Sequence, residues 1–107
     1  MLTAEIHQEA ILSAQTAVAL HRVKYGNRFT GCGFAWVECY EKGNTKMGKS
    51  FKAQGFDKSY TGGYKFWDPA NTGGQDITEK EVGAQAYVDT VKQYLPDVKL
   101  YVGSRLD

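Results

Sequence analysis

A chain of 107 residues suffices for one domain with a modest core and falls short of the length at which two become common, so residues 1–107 read as a single domain. Hydrophobic residues make up 42% and aromatics 13%, within the globular range, while a formal charge of +1 removes bulk electrostatics as an argument for nucleic acid or a membrane. The N-terminus lacks a basic region ahead of an apolar core, Glu5 and Glu9 interrupt it, and no apolar run approaches the roughly 20 residues that cross a bilayer, so the expectation is a soluble cytoplasmic protein without a membrane partner.

Residues 3 to 25 read as a helix, with Thr3 as N-cap and Gly26-Asn27 as the stop. Ile6, Ala10, Ala14, Ala17, Val18 and Leu20 form one broad apolar face, with Ile11 at its margin. His7 and His21 share that face but stand about 21 Å apart at roughly 1.5 Å per residue, too far to share a metal.

Residues 32 to 40 form a strand whose two faces are both apolar, the mark of a central strand. Trp36 alternates there with Phe34 and is expected in or near the core. Cys32 and Cys39 point to opposite faces about 23 Å apart at roughly 3.3 Å per residue, so they cannot pair with each other. Their spacing fits no zinc pattern, and neither a metal nor a cofactor is expected.

A short helix follows over residues 45 to 54, closed by Gly55. Lys46, Lys49 and Lys52 fall on one arc, while Met47 and Phe51 supply the docking face. The second strand, residues 63 to 67, puts Tyr64 and Phe66 on one side and Lys65 and Trp67 on the other. Lys65 marks the wetter side, so Tyr64 and Phe66 are read as structural and Trp67 as partly exposed. The loop "DPANTGGQDI" then leads to a helix opened by a Thr78–Glu81 capping box with an Ile77–Val82 staple. Ala84, Tyr87, Val88, Val91, Tyr94 and Leu95 follow at helical spacing, Pro96 ends the helix, and residues 98 to 102 alternate as a last strand.

The predicted fold is α+β, a two-layer sandwich in the order α-β-(short α)-β-α-β, with the two long helices on a three-strand mixed sheet. The second and third strands would be parallel neighbours joined by a β-α-β crossover. The loop 68–77 would then lie at a helix N-terminus, where N–H groups and the dipole favour anions. It contains no phosphate-loop motif, and Asp68 and Asp76 would repel a phosphate, so the bland reading is a Pro/Asn/Gly turn. At the C-terminus Arg105 either pairs with Asp107 or grips the Gln75 loop or a bound anion. Trp67, Gln75 and Arg105 are the candidate site for a ligand or a partner side chain.

Charge is unevenly spread. Residues 42 to 65 hold six lysines and one acid, Asp57, a local charge of about +5, interleaved with Phe51, Phe56, Tyr60 and Tyr64. Cations beside rings suit single-stranded nucleic acid, with Lys46, Lys49 and Lys52 as the phosphate contacts, although no RNA-binding signature such as the paired aromatic strands of an RRM is recognisable. Neither cysteine has a local partner base, and Asp68 with Asp76 make no specific carboxylate pair, so no catalytic residue is assigned.

The stretches "CGFAWV", "GNTKMGKSFKAQG", "GGYKFW", the Gln75 turn leading into "KEVGAQAY", and the terminal "GSRLD" resemble small uncharacterised proteins of tailed bacteriophages of aquatic bacteria. The resemblance covers about residues 25 to 107. It implies a role inside an infected bacterial cell and brings no activity. The favoured expectation is a non-enzymatic accessory module that binds a host or phage protein or, through an uncovered sheet edge, a second copy of itself. Single-stranded nucleic acid is the alternative partner.

Overall fold

The computed structural model describes residues 1–26, 29–59 and 62–107. Asn27, half of the expected stop of the first helix, and Tyr60, one of the aromatics of the basic segment, lie outside the described residues.

Helix α1 (Ala4–Tyr25) begins as its sequence dictates: the Thr3 hydroxyl accepts the backbone N–H of Ile6, and Gly26 at φ 69 ends it. Ala10, Ala14 and Val18 are buried. Leu20, placed on the same face from the sequence, is 63% exposed, because two residues beyond Val18 lies about 200° round the helix. The small alanines let α1 lie close against α3 (Ile77–Tyr94), where Gly83 runs beside Val18; a Cβ at Gly83 would stand 3.3 Å from a Val18 methyl. α1 thus leans chiefly on α3, and it reaches the sheet through His7, whose ring lies 5.2 Å from Phe66.

The sheet has four strands, all antiparallel, where three in a mixed sheet were expected. β1 (Gly33–Cys39) is central, with β3 (Tyr64–Trp67) on one side and β4 (Leu100–Leu106) on the other; β2 (Asp57–Lys58) pairs outside β3. β2 has only two residues, too few to show a period in the sequence. β3 and β4 do run in the same direction, since both are antiparallel to β1, but β1 lies between them. α3 therefore carries the chain across β1 as a split β-α-β unit, and α2 (Lys46–Ala53) carries it from β1 to β2 across β3 in the same way.

The helices share one layer. Phe51 of α2, Phe56, Phe66 of β3 and Tyr87 of α3 pack ring against ring beneath Val37, Cys39 and Leu100 of the sheet. Phe51 and Met47 dock α2 as the sequence predicts. At the centre Tyr87 is fully buried, and a 2.6 Å hydrogen bond joins its hydroxyl to His7 Nδ1. Burial raises the Tyr87 phenol far above its usual range and lowers the His7 imidazole below its own. The thiol of Cys39, buried in the same layer, is pushed up to about 11, chiefly by burial.

The start of α3 departs from the expected capping box. Asp76 is the N-cap, two residues before Thr78, accepting the N–H of Glu79, and the helix begins at Ile77. Thr30 fixes this choice by giving both its N–H and its hydroxyl to the other Asp76 oxygen, at 2.6 and 2.7 Å. Burial would raise the Asp76 carboxyl, but the bonds from Thr30, Glu79 and Gly31 outweigh it and hold the group below its usual value. Glu79 turns instead to Arg22, which grips it with two bonds of 2.9 and 2.8 Å and ties α1 to α3. At the other end, β4 begins at Leu100 and runs on to Leu106, later and longer than the expected strand at 98–102.

Candidate functional site

Alternation along β1 sends Ala35, Val37 and Cys39 under the helices and Phe34, Trp36 and Glu38 to the opposite side of the sheet. Among the described residues no helix covers that side. The register adds Lys65 and Trp67 from β3 and Tyr101, Gly103 and Arg105 from β4 to the same face. The residues that leave the core thus include three of the chain's largest rings and two cations.

Trp36 and Trp67 are directly opposite each other on β1 and β3, with ring centroids 4.8 Å apart. Phe34 meets Trp67 edge-on at 6.1 Å. The Lys65 ammonium lies 4.3 Å from the Trp36 ring and 5.6 Å from that of Trp67, close enough for cation–π attraction to both. Arg105 stacks its guanidinium 5.6 Å from the Phe34 ring, and Lys80 reaches the same ring at 5.2 Å while donating to the Gly33 carbonyl. These rings and cations form one continuous strip across the sheet.

Burial differs sharply along the strip. Trp36 is only 8% exposed, yet it lies on the open side, outside the main core cluster, and is hidden by Trp67, Lys65 and Glu38. The expected burial of Trp36 is therefore met by side chains of the open face and not by the helical core. Its indole also crosses β4 at Gly103, where a Cβ would stand 2.4 Å from Nε1. Trp67 is 47% exposed and presents a ring to solvent. Tyr64 and Phe66 face the core.

Two acids share this face: Asp57 of β2, opposite Lys65 in the register, and Glu38, which is already engaged. Glu38 accepts the Trp36 Nε1–H at 2.7 Å through one oxygen and the Tyr40 hydroxyl at 2.8 Å through the other. That bond raises the Tyr40 phenol above its usual value. Beside Trp67 a hollow of about 170 Å³ is lined by Asp57, Lys58, Ser59, Lys65 and Trp67. Two larger hollows lie elsewhere: one of about 420 Å³ beneath the end of α3, edged by Glu41 and Asp97, and one of about 400 Å³ between His21, Tyr25, Thr30 and Thr78. Among the described residues no group of three or more His, Cys, Asp or Glu side chains could hold a metal ion, and no helix is long and apolar enough to cross a membrane.

The residues singled out from sequence fall into three places. Trp67 and Arg105 share the open face, linked through Phe34. Gln75 stands at its margin: its side-chain oxygen accepts the Cys32 thiol at 3.4 Å and its backbone carbonyl accepts the Gly33 N–H, so it serves the turn before α3. Among the described residues Arg105 forms no ion pair with Asp107. Lys46, Lys49 and Lys52 are exposed on α2, in the helical layer, and Lys52 lies over the ring of Tyr64. The N-terminus of α3, considered as an anion site, is filled by the chain itself: Asp76 takes the Glu79 N–H and the Gly31 carbonyl takes that of Ile77.

Phe34, Trp36, Lys65 and Lys80 are the members of the strip that sequence reasoning did not assign to a site. The available signal was the run Phe34, Trp36, Glu38, Tyr40, in which rings share one strand face with a charge. No protein-family model, no curated protein and no solved structure matches this chain.

Proposed function

We propose that the open face of the sheet binds single-stranded nucleic acid. Bases stack on Trp67 and the exposed part of Phe34, while Lys65 and Arg105 meet the backbone phosphates. The observation that carries this reading is the Trp36–Trp67 pair with Lys65 against both rings: an aromatic platform on two adjacent central strands, bordered by cations. Every base has a π face, so such a platform is sequence-tolerant, and stacking is worth about 1–3 kcal/mol per base. Trp36 acts as the support beneath, held by Glu38 so that Trp67 stays in place.

The reading moves the nucleic-acid contacts from the α2 lysines to the opposite side of the molecule. Stacking needs rings and cations on one surface, and among the described residues the ring beside the α2 lysines is Tyr64, under Lys52 and turned toward the core. Two phosphate contacts predict a modest, salt-sensitive affinity, with a slope of log K against log salt of about −1.4 for single strands. The test is a titration of tryptophan fluorescence with single-stranded oligonucleotides at several salt concentrations. Quenching that saturates and weakens with salt at that slope supports the proposal. No saturable change at low salt refutes it. Self-association, the other expectation from the sequence, concerns the edge of the same sheet.

A further inference from the structure

The two edges of the sheet are unequal. β2 exposes only two residues of edge, whereas β4 exposes seven, without a proline or a bulge in its pairing with β1. Natural sheets usually blunt an edge of that length. The hydrogen bonds that bracket the ladder, Asp107 N–H to the Cys32 carbonyl and Tyr40 N–H to the Lys99 carbonyl, fix its alternation. The odd-numbered residues of β4 therefore turn their backbone groups toward β1. Val102, Ser104 and Leu106 turn theirs outward.

We propose that two copies of this chain pair antiparallel along the outer edge of β4, about a two-fold axis at Gly103. A two-fold contact must be complementary to itself, and this register is. Val102 of one copy faces Ser104 of the other, and both carry outward backbone groups, so they form a hydrogen-bonded pair. Gly103 faces its own copy across the axis. Tyr101 faces Arg105 in a non-hydrogen-bonded pair, the kind that brings side chains closest, and a guanidinium over a phenol ring is a favourable contact. Leu106, 71% exposed in the single chain, comes beside Leu100, which borders the core. With Leu106 donating to the Leu100 carbonyl as well, the junction gains about six backbone hydrogen bonds.

Lys92 bears on this contact, because its ammonium lies over Tyr101 at 5.1 Å from the helical side and so crosses the end of the edge. In the pair, Arg105 of the second copy takes that position on the ring and Lys92 swings toward solvent. The result is a single eight-strand sheet, twice the four strands of one chain, whose two open faces join across the axis. This inference does not rest on the open face binding nucleic acid, although Arg105 takes part in both.

The test is the mass of the intact chain in solution, by sedimentation over micromolar to submillimolar concentrations. The expected result is a reversible dimer of twice the 11.9 kDa protomer. Tyr101→Arg sets two guanidinium groups against each other across the junction and should weaken the dimer roughly tenfold or more. Adding Arg105→Tyr to the same chain restores a ring opposite a cation and should recover the dimer, which a merely structural role for either residue would not do. Ser104→Pro removes an outward N–H without breaking the ladder to β1, and should give a folded monomer. A parent chain that stays monomeric throughout overturns the proposal, as does a dimer that survives Tyr101→Arg.

Discussion

Trp36 and Trp67 face each other as a non-hydrogen-bonded pair of the β1–β3 ladder, with their rings 4.8 Å apart on the side of the sheet that no helix covers. In such pairs the side chains approach more closely than in the hydrogen-bonded ones. The pairing is visible in the neighbouring bond: Asp68 N–H donates to the Ala35 carbonyl, so the odd residues of β1 bond toward β3 and Trp36 does not. One indole is thereby buried beneath the other, and the upper one is left open to solvent.

Gly103 is part of this arrangement. Gly103→Ala places a methyl group within 2.4 Å of the Trp36 indole, which Trp67, Lys65 and Glu38 hold from the other sides. The expected cost is about 1–3 kcal/mol, typical of overpacking. Thermal unfolding should show it as a drop in Tm of roughly 4–8 °C per kcal/mol. A Tm equal to that of the parent would mean that the indole does not lie across β4.

Asp76 should be worth more than an ordinary cap. It closes α3 and takes both donors of Thr30, so Asp76→Ala removes the bonds from Thr30 and from Glu79 at once. A loss of about 2–4 kcal/mol is expected from a cap of roughly 1 kcal/mol plus bonds to a charged acceptor. Its carboxyl is held below the usual value in the folded chain. The stabilisation is therefore complete above the unfolded pKa and is lost as pH falls through the lower, folded one. Denaturant midpoints of the parent should decline in strongly acidic solution more steeply than those of Asp76→Ala.

His7 predicts a second, milder acid dependence. Burial lowers its pKa below 6.5, so the unfolded chain binds a proton more readily than the folded one. Stability from the neutral ring is complete above the unfolded value and falls as pH drops through the folded value. An NMR titration should find the His7 imidazole titrating below its value in the urea-unfolded chain. Titration at the same or a higher pH would contradict the buried contact with Tyr87.

Much of the fold could be read locally because its signals are local. Thr3, the Met47–Phe51 face of α2 and the split of β3 into core-facing Tyr64 and Phe66 against Lys65 and Trp67 all follow from neighbours a few positions away. What escaped depends on distant residues. Asp76-x-x-Glu79 and Thr78-x-x-Glu81 have the same spacing, and only Thr30, far away in sequence, decides between them. Both faces of β1 are apolar, which reads as burial on both sides; in fact one face is roofed by helices and the other by its own indoles and a lysine. The strip of rings exists only through the register of β1 with β3 and β4, and a single sequence does not state that register.

The most direct test of the proposed nucleic-acid site sets two variants side by side in the same oligonucleotide titration. Trp67→Ala removes the exposed ring and leaves the charges, while a triple replacement of Lys46, Lys49 and Lys52 by Gln removes charge from α2 and leaves the open face intact. Loss of one stacked base should weaken binding by roughly 1–3 kcal/mol, about 5- to 150-fold, in Trp67→Ala. The triple lysine variant should keep the salt slope of the parent, since its lysines make no phosphate contact in this account. A Trp67→Ala chain that binds as the parent does, with a triple lysine variant that loses both affinity and slope, would contradict the placement of the site on the open face.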